Sequence, residues 1–256
     1  MAALAERPGV GPLLRDWRQR RRMSQLDLAL EAGVSTRHVS FVETGRSRPS
    51  AEMVLHLADR LDVPLRDRDA LLLAAGHAPA FGARDLEAPE MRPVREAIDL
   101  VLRGHEPYPA AVVDRGWNLV AANAGIAPLL EGVSAQLLEP PVNVLRVSLH
   151  PFGMAPRIAN LAEWREHLLH RLRRQVALTA DDEVTRLLAE LESYPAPDDE
   201  DKAPHNDIVV PLRLKNGMSF FSTVATFGTA VDITVAELSI ESFFPADAHT
   251  AEALRA

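Results

Sequence analysis

The chain has 256 residues, with 28 Lys and Arg against 36 Asp and Glu, a formal net charge of −8 and no cysteine. An apolar share of 47% at this length is enough for two hydrophobic cores, so one domain of ordinary size and one smaller domain are expected. Disulfides and thiolate metal sites are excluded, and no apolar run is long enough to span a bilayer, which leads to the expectation of a soluble, cytoplasmic protein without membrane association.

In chain order, Leu13, Leu14 and Trp17 predict the inner face of a first helix, with Arg15, Arg18 and Arg20 to Arg22 directed outward. Residues 24–49 read SQLDLALEAGVSTRHVSFVETGRSRP, the spacing of a helix, a glycine turn and a second helix. Leu28, Ala29 and Ala32 run into Gly33, which takes φ > 0 without a Cβ clash, and Ser35 is placed to cap the helix that follows. Val39 and Val42 share the inner face of that second helix, while Arg37, Ser40, Phe41 and Thr44 lie opposite, flanked by Thr36 and His38.

A short, polar and cationic outer face on the second helix of such a pair suits a DNA major groove. There, arginine pairs bidentately with guanine and an apolar group touches a thymine methyl. Arg37 and Phe41 are the expected base readers, with Thr36 beside them. Ser24 and Gln25 at the opening of the preceding helix, and Arg46 and Arg48 in the loop after the second, are expected to hold phosphates. The candidate DNA-contact set is Ser24, Gln25, Ser35, Thr36, Arg37, His38, Ser40, Phe41, Arg46 and Arg48. The acidic net charge does not oppose this, because residues 1–76 carry twelve basic against ten acidic groups and residues 77–256 carry sixteen against twenty-six. Phosphate affinity depends on where charge sits, and Arg7 to Arg48 holds nine basic and four acidic residues.

Ser50 is expected to cap a fourth helix through Leu61, with Glu52 in its first turn, and a fifth runs from Leu65 to Ala75 and stops at Gly76. Proline and glycine then predict a linker over 77–93, dividing a DNA-binding domain, 1–76, from a second domain, 94–256. That domain opens with a helix from Met91 to Leu102. Two strands follow, Ala110 to Val113 and Trp117 to Ala121, around an Asp114-Arg115-Gly116 turn, and then a helix from Asn123 to Leu130. Val142 to Leu149 and Ala155 to Val176 read as helices broken at His150–Gly153, and Thr179 to Asp182 reads as a capping box for a further helix. After an acidic, proline-bearing loop from Pro195 to Pro204 come three strands: Ile208 to Leu214, Met218 to Phe227 and Asp232 to Phe243, the first two joined by an Asn216-Gly217 turn. The expectation is a five-stranded antiparallel sheet with helices on one face.

Several segments together resemble a known family. Residues from about Leu13 to Ala75 look like the XRE/Cro/repressor type of helix-turn-helix, which implies a five-helix bundle. SFVETGRSRPS at 40–50, YPAAVVDRGWNLVAAN at 108–123, HPFGMAPRIANLAEWREHLLHRLRRQ at 150–175 and SFFSTVATFG at 219–228 resemble the MmyB-like transcription regulators. The resemblance implies a multidomain chain, α followed by α+β, whose C-terminal domain is PAS-like and takes a small apolar or fatty-acyl ligand. Leu119, Leu145, Leu149, Phe152, Trp164, Phe221 and Phe227, chosen where helices should meet the sheet, are the expected pocket contacts. Apolar residues at such periods serve equally as ordinary core.

Glu163, Glu166, His167 and His170 share a helix face at spacings of three and four, which admits a divalent ion. The same face, threaded with Arg165, Arg171, Arg173 and Arg174, reads better as solvated ion pairs. His150 before Pro151 is a helix terminator or a polar handle on a ligand. With no nucleophile elbow, zinc-protease or phosphate-loop motif, neither an enzyme nor a metal or other cofactor is expected beyond a possible bound fatty acid. The expected partner is double-stranded DNA carrying an inverted-repeat operator, read by a homodimer. The alternative is a DNA-tethered protein-interaction module without a small-molecule ligand.

Overall fold

The computed structural model describes residues 9–195, 209–228 and 230–255. The predicted loop from Pro195 to Pro204, apart from Pro195, and the predicted strand start at Ile208 lie outside the described residues. The chain forms two compact units. One runs to Arg84 and includes Ala230–Ile233; the other starts at Asp85 and includes the chain from Thr234 onward. No described helix is long and apolar enough to cross a membrane.

The first unit is a bundle of α1 (Val10–Arg20), α2 (Gln25–Glu31), α3 (Thr36–Glu43), α4 (Ala51–Arg60) and α5 (Leu65–Ala74). Leu14 and Trp17 of α1, Leu28 and Ala29 of α2, Val39 and Val42 of α3, Val54 and Leu57 of α4, and Leu71 and Leu72 of α5 close into one buried cluster. Serine hydroxyls start three of the helices: Ser24 accepts from Asp27 N–H at 3.1 Å, Ser35 from His38 N–H at 3.1 Å and Ser50 from Met53 N–H at 3.2 Å. Gly33, at φ +63°, makes the reversal between α2 and α3. The start of the predicted linker is held to the bundle, because the buried carboxylate of Asp69 accepts the Ala80 and Phe81 N–H groups at 2.7 and 3.2 Å. Within the same unit, Ile233 N–H donates to the Gly82 carbonyl at 2.7 Å and Arg84 pairs with Asp232 at 2.9 Å.

The second unit is built on a sheet of β1 (Ala110–Val113), β2 (Leu119–Ala122), β3 (Leu212–Arg213), β4 (Ser219–Thr226) and β5 (Ser239–Pro245). The strand order is β2-β1-β5-β4-β3 and every neighbouring pair is antiparallel, the PAS-like layout expected from the sequence. α7 (Ala127–Leu130), α8 (Val144–Leu149), α9 (Leu161–Thr179) and α10 (Asp182–Ser193) contribute Leu129, Leu145, Leu168, Leu172 and Leu187 to a core shared with Leu212 and Phe220 of the sheet. The opposite face is not bare: Ile98 and Leu102 of α6 (Arg92–Gly104) pack there with Ala110, Val112 and Ile240. Strand alternation explains the division, since Val112 pairs with Ile240 while Ala111 and Glu241, one residue along, point to the α9 side.

Several boundaries differ from the sequence expectation for local reasons. The strand predicted from Asp232 begins as a helical turn, α11 (Ile233–Ala236), and becomes β5 only at Ser239. The helix predicted from Ala155 starts at Leu161, after a 3-10 turn over Ala155–Arg157, because Ile158 is extended and bridges Leu214 and the Ala159 N–H donates to the Arg213 carbonyl at 2.7 Å. The cap of α10 is Asp181, which accepts from Glu183 and Val184 N–H, while Thr179 closes α9. The chain ends in α12 (Ala248–Ala253), capped by Asp247.

Gly11 marks the closest backbone approach in the bundle. A Cβ there would stand 2.5 Å from the Glu43 carbonyl oxygen and 2.6 Å from that of Val42, both backbone atoms that cannot rotate away. Gly11→Ala is therefore expected to destabilise the first unit by about 1–3 kcal/mol. Chemical denaturation followed by far-ultraviolet dichroism measures this, and an unchanged midpoint would contradict the close contact.

Candidate nucleic-acid interface and ligand cavity

α3 is fixed from the inside by a charged group. Glu43, at its last turn, accepts from Arg18 Nε at 2.6 Å and Arg18 Nη2 at 2.9 Å, and from Gln25 Nε2 at 2.8 Å. Arg18 also donates to the Met23 carbonyl at 2.7 Å. Arg18 was expected to face outward, but it is 8% exposed, because the α1 face beside Trp17 meets the end of α3 and Glu43 supplies its charge partner there. Burial pushes the Glu43 carboxyl up, and the hydrogen bonds from Arg18 and Gln25 with the charges of Arg18 and Arg15 outweigh it, holding the group below its ordinary value. The same pair holds Arg18 above its own.

With Val39 and Val42 buried, the other side of α3 faces solvent. Arg37, Arg46 and Arg48 are exposed, while Thr36, His38, Ser40 and Phe41 are half-buried. Phe41 gathers two cations: the Arg37 guanidinium lies 5.0 Å and that of Arg46 5.8 Å from its ring centroid. Arg46 and Ser47 N–H both donate to the Phe41 carbonyl, at 2.8 and 3.1 Å, so the loop after α3 is folded back on this residue. Arg37 and Phe41, expected as base readers, and Arg46, expected at phosphate, are thus drawn together on one surface.

The start of α2, where an anion site is expected, is also a capping point. Ser24 and Asp27 satisfy each other in a reciprocal capping box, which holds Asp27 below its ordinary pKa through the Ser24 N–H and hydroxyl bonds. The Gln25 amide donates to Glu43 and so ties this helix start to the bundle, with its second N–H, the Ser24 hydroxyl hydrogen and backbone N–H groups still available to an anion. Ser35 likewise uses its hydroxyl as a cap. Glu43 is the functional residue that sequence reading left without a role, and a lone acidic residue between apolar Val42 and the Thr44-Gly45 turn was the available signal.

The second unit has a partly open cavity of about 260 Å³ between the sheet and α7 to α9. An apolar void of about 150 Å³ accepts benzene, so this one holds on the order of ten carbon atoms. Of the residues expected to line it, Leu119, Leu145 and Trp164 do. Leu149 is buried in the surrounding core without reaching the cavity. Phe152 is 71% exposed, because the chain turns outward after α8 and its ring lies beside His150. Phe221 is off by one strand position: Phe220 takes the inward place, and Phe221 stacks on Phe244 at 5.2 Å across the other face. Phe227 lies beyond the end of β4 and packs with the α6 cluster. Ile126, Leu129, Leu138, Val142, Leu168 and Phe243 complete much of the wall, and two polar groups join them, Ser148 and Glu241. Ser148 accepts from Trp164 Nε1 at 3.0 Å.

The α9 face read as a possible ion site is divided among other partners. Glu166 pairs with Arg173 at 2.9 Å, Glu163 with Arg213 at 3.8 Å, and the His167 ring stacks on Trp164 at 5.6 Å. Burial first, then Arg171, holds His167 below the usual imidazole range against the opposing pull of Glu241 and Glu163. Among the described residues no group of three or more His, Asp or Glu side chains is arranged for a metal ion.

A helix pair with a cationic outward face, on a chain that also has an apolar cavity beneath a curled antiparallel sheet, defines a DNA-binding transcription regulator with a ligand-binding domain. Residues 14–67 match the model of a helix-turn-helix family. Residues 94–256, more than half of the chain, match the MmyB-like transcription regulator ligand binding domain, and the chain belongs to that family. No curated protein matches the chain.

Glu43→Ala is expected to cost about 3–5 kcal/mol, because it leaves Arg18 buried without its counter-charge. Since the Glu43 pKa is depressed on folding, its contribution is complete above the ordinary carboxylate range and is lost as pH falls through the folded value. Glu43→Gln should therefore flatten the acid limb of the stability profile, as read by denaturation across pH 3–7. An acid limb identical to that of the native chain would contradict this role.

Proposed function

We propose that this chain is a sequence-specific operator-binding regulator whose DNA affinity is modulated by a small apolar or fatty-acyl ligand held in the second unit. The observation that carries the DNA reading is the outward cluster on α3, where Arg37 and Arg46 flank Phe41 beside the exposed Arg48. In a major groove Arg37 reaches a guanine edge, Phe41 a thymine methyl, and Arg46 and Arg48 the flanking phosphates. One such helix reads only a few base pairs, so useful selectivity calls for a homodimer on an inverted repeat with half-sites about one helical turn apart.

Modulation is supported by the path of the chain. After β4 it contributes residues 230–233 to the first unit and then returns as β5, the strand that carries Glu241 and Phe243 on the cavity wall. A ligand that favours one arrangement of β5 changes the energy of that excursion, and hence the population of the DNA-competent form. Both matched families are transcription-regulator or helix-turn-helix domains, and the chemistry assigned here is binding, not turnover.

Arg37→Ala is expected to lose about 1–3 kcal/mol of operator affinity and to relax selectivity at one base position. Arg46→Ala should instead weaken all sequences alike and lower the salt dependence by about one counterion. Salt-titrated gel shifts on duplexes selected from a random pool measure both, and intact affinity in the two variants would sink the docking model. In the same assay, octanol or octanoate is expected to change affinity about fivefold or more. No response to either would remove the modulation.

A further inference from the structure

Glu241 occupies a position where an apolar cavity wall calls for a hydrocarbon. It stands on β5 in register with Ala111 on one side and Val224 on the other, and it is 8% exposed. It is also the one ionisable side chain among the residues that line the cavity. A buried carboxylate is costly unless its oxygens are satisfied. One oxygen of this group is paired inside the protein, and the other keeps some accessible surface. Oε1 receives Arg171 Nη1 at 3.0 Å and the Ser222 hydroxyl at 3.2 Å, while Oε2 accepts no hydrogen bond among the described residues. The Arg171 guanidinium lies 4.8 Å from the centroid of the Trp117 ring, which fixes the cation and through it the carboxylate. The other polar wall group, Ser148, accepts from Trp164 Nε1 through its oxygen and keeps its own O–H as a donor, which an alcohol or amide oxygen can receive.

We infer that the ligand of this cavity is an apolar chain ending in a hydrogen-bond donor, an alcohol, amide or amine, whose O–H or N–H is received by Glu241 Oε2. The inference rests on the reading of the cavity as the ligand site and names the chemistry of its occupant. A neutral donor makes a charge-assisted bond to Oε2 while its chain fills the hydrocarbon wall. A free carboxylate meets like charge in a poorly solvated space, and the nearby cation, Arg171, is already neutralised by Glu241. An acyl chain therefore suits this cavity as its alcohol or amide and not as the free acid.

The test uses the full chain and three probes of matched length, octanol, octanoate and octyl methyl ether, titrated by calorimetry. Octanol is expected to bind about tenfold or more tightly than octanoate. The ether, which accepts hydrogen bonds but has none to donate, should also fall behind octanol. In Glu241→Gln the gap between octanol and octanoate should narrow because octanoate gains. Should that variant fail to fold, the ether comparison in the native chain stands by itself. Octanoate binding as tightly as octanol, or an ether equal to the alcohol, would overturn the donor assignment and leave the cavity reading intact. If no probe binds, the cavity reading falls and the donor assignment with it.

Discussion

The buried contact between Arg18 and Glu43 is the constraint on which the first unit depends. Two hydrogen bonds of 2.6 and 2.9 Å join α1 to the end of α3, and Gln25 adds α2 to the same carboxylate at 2.8 Å. A charge pair is an expensive way to hold helices together, since hydrocarbon of the same shape would stabilise as much or more. What it supplies is a defined orientation. A fork of two parallel N–H···O bonds fixes the rotation of α3 about its axis, whereas Val39 and Val42 in a leucine-rich core would tolerate a range. With Glu43 turned inward, Arg37, Phe41 and Arg46 are turned out.

In the second unit the corresponding constraint is strand parity. Val112 and Ile240 face α6, and Ala111, Glu241 and Phe243 face α9, so the two sides of a single sheet serve different purposes. One side is closed by tightly buried aliphatic residues of α6 and the sheet. The other is left with a void between the sheet and α7, α8 and α9. An unfilled void forfeits dispersion contacts all along its wall, which makes it a place that gains by being occupied.

Much of this was legible in the sequence where local chemistry decides structure. Ser24, Ser35, Ser50, Gly33 and Gly76 mark helix ends through capping and positive φ, properties of single residues, and the structure places those ends accordingly. Two of the strand pairings also followed, because Asn216-Gly217 and Asp114–Gly116 set the turns of two hairpins. Contacts between distant segments were not legible. Nothing near Arg18 in sequence shows that it meets a residue 25 positions on, so its outward reading followed the majority of its arginine neighbours. Phe220 and Phe221 are chemically identical, and only the register with Pro245 and Phe244 decides which faces inward. Glu241 was overlooked among apolar neighbours, although a carboxylate within IESFF was the one residue there that a purely structural strand does not need.

The central claim is that the solvent side of α3, with the loop behind it, is the surface that meets DNA. Ultraviolet crosslinking of the full chain to a selected duplex carrying bromodeoxyuridine, with the attached peptide identified by mass spectrometry, tests it most directly. The account predicts that the crosslinked peptides contain residues 36–48, with Phe41 the principal site of attachment. Crosslinks found only in other segments, with 36–48 unmodified, would contradict it.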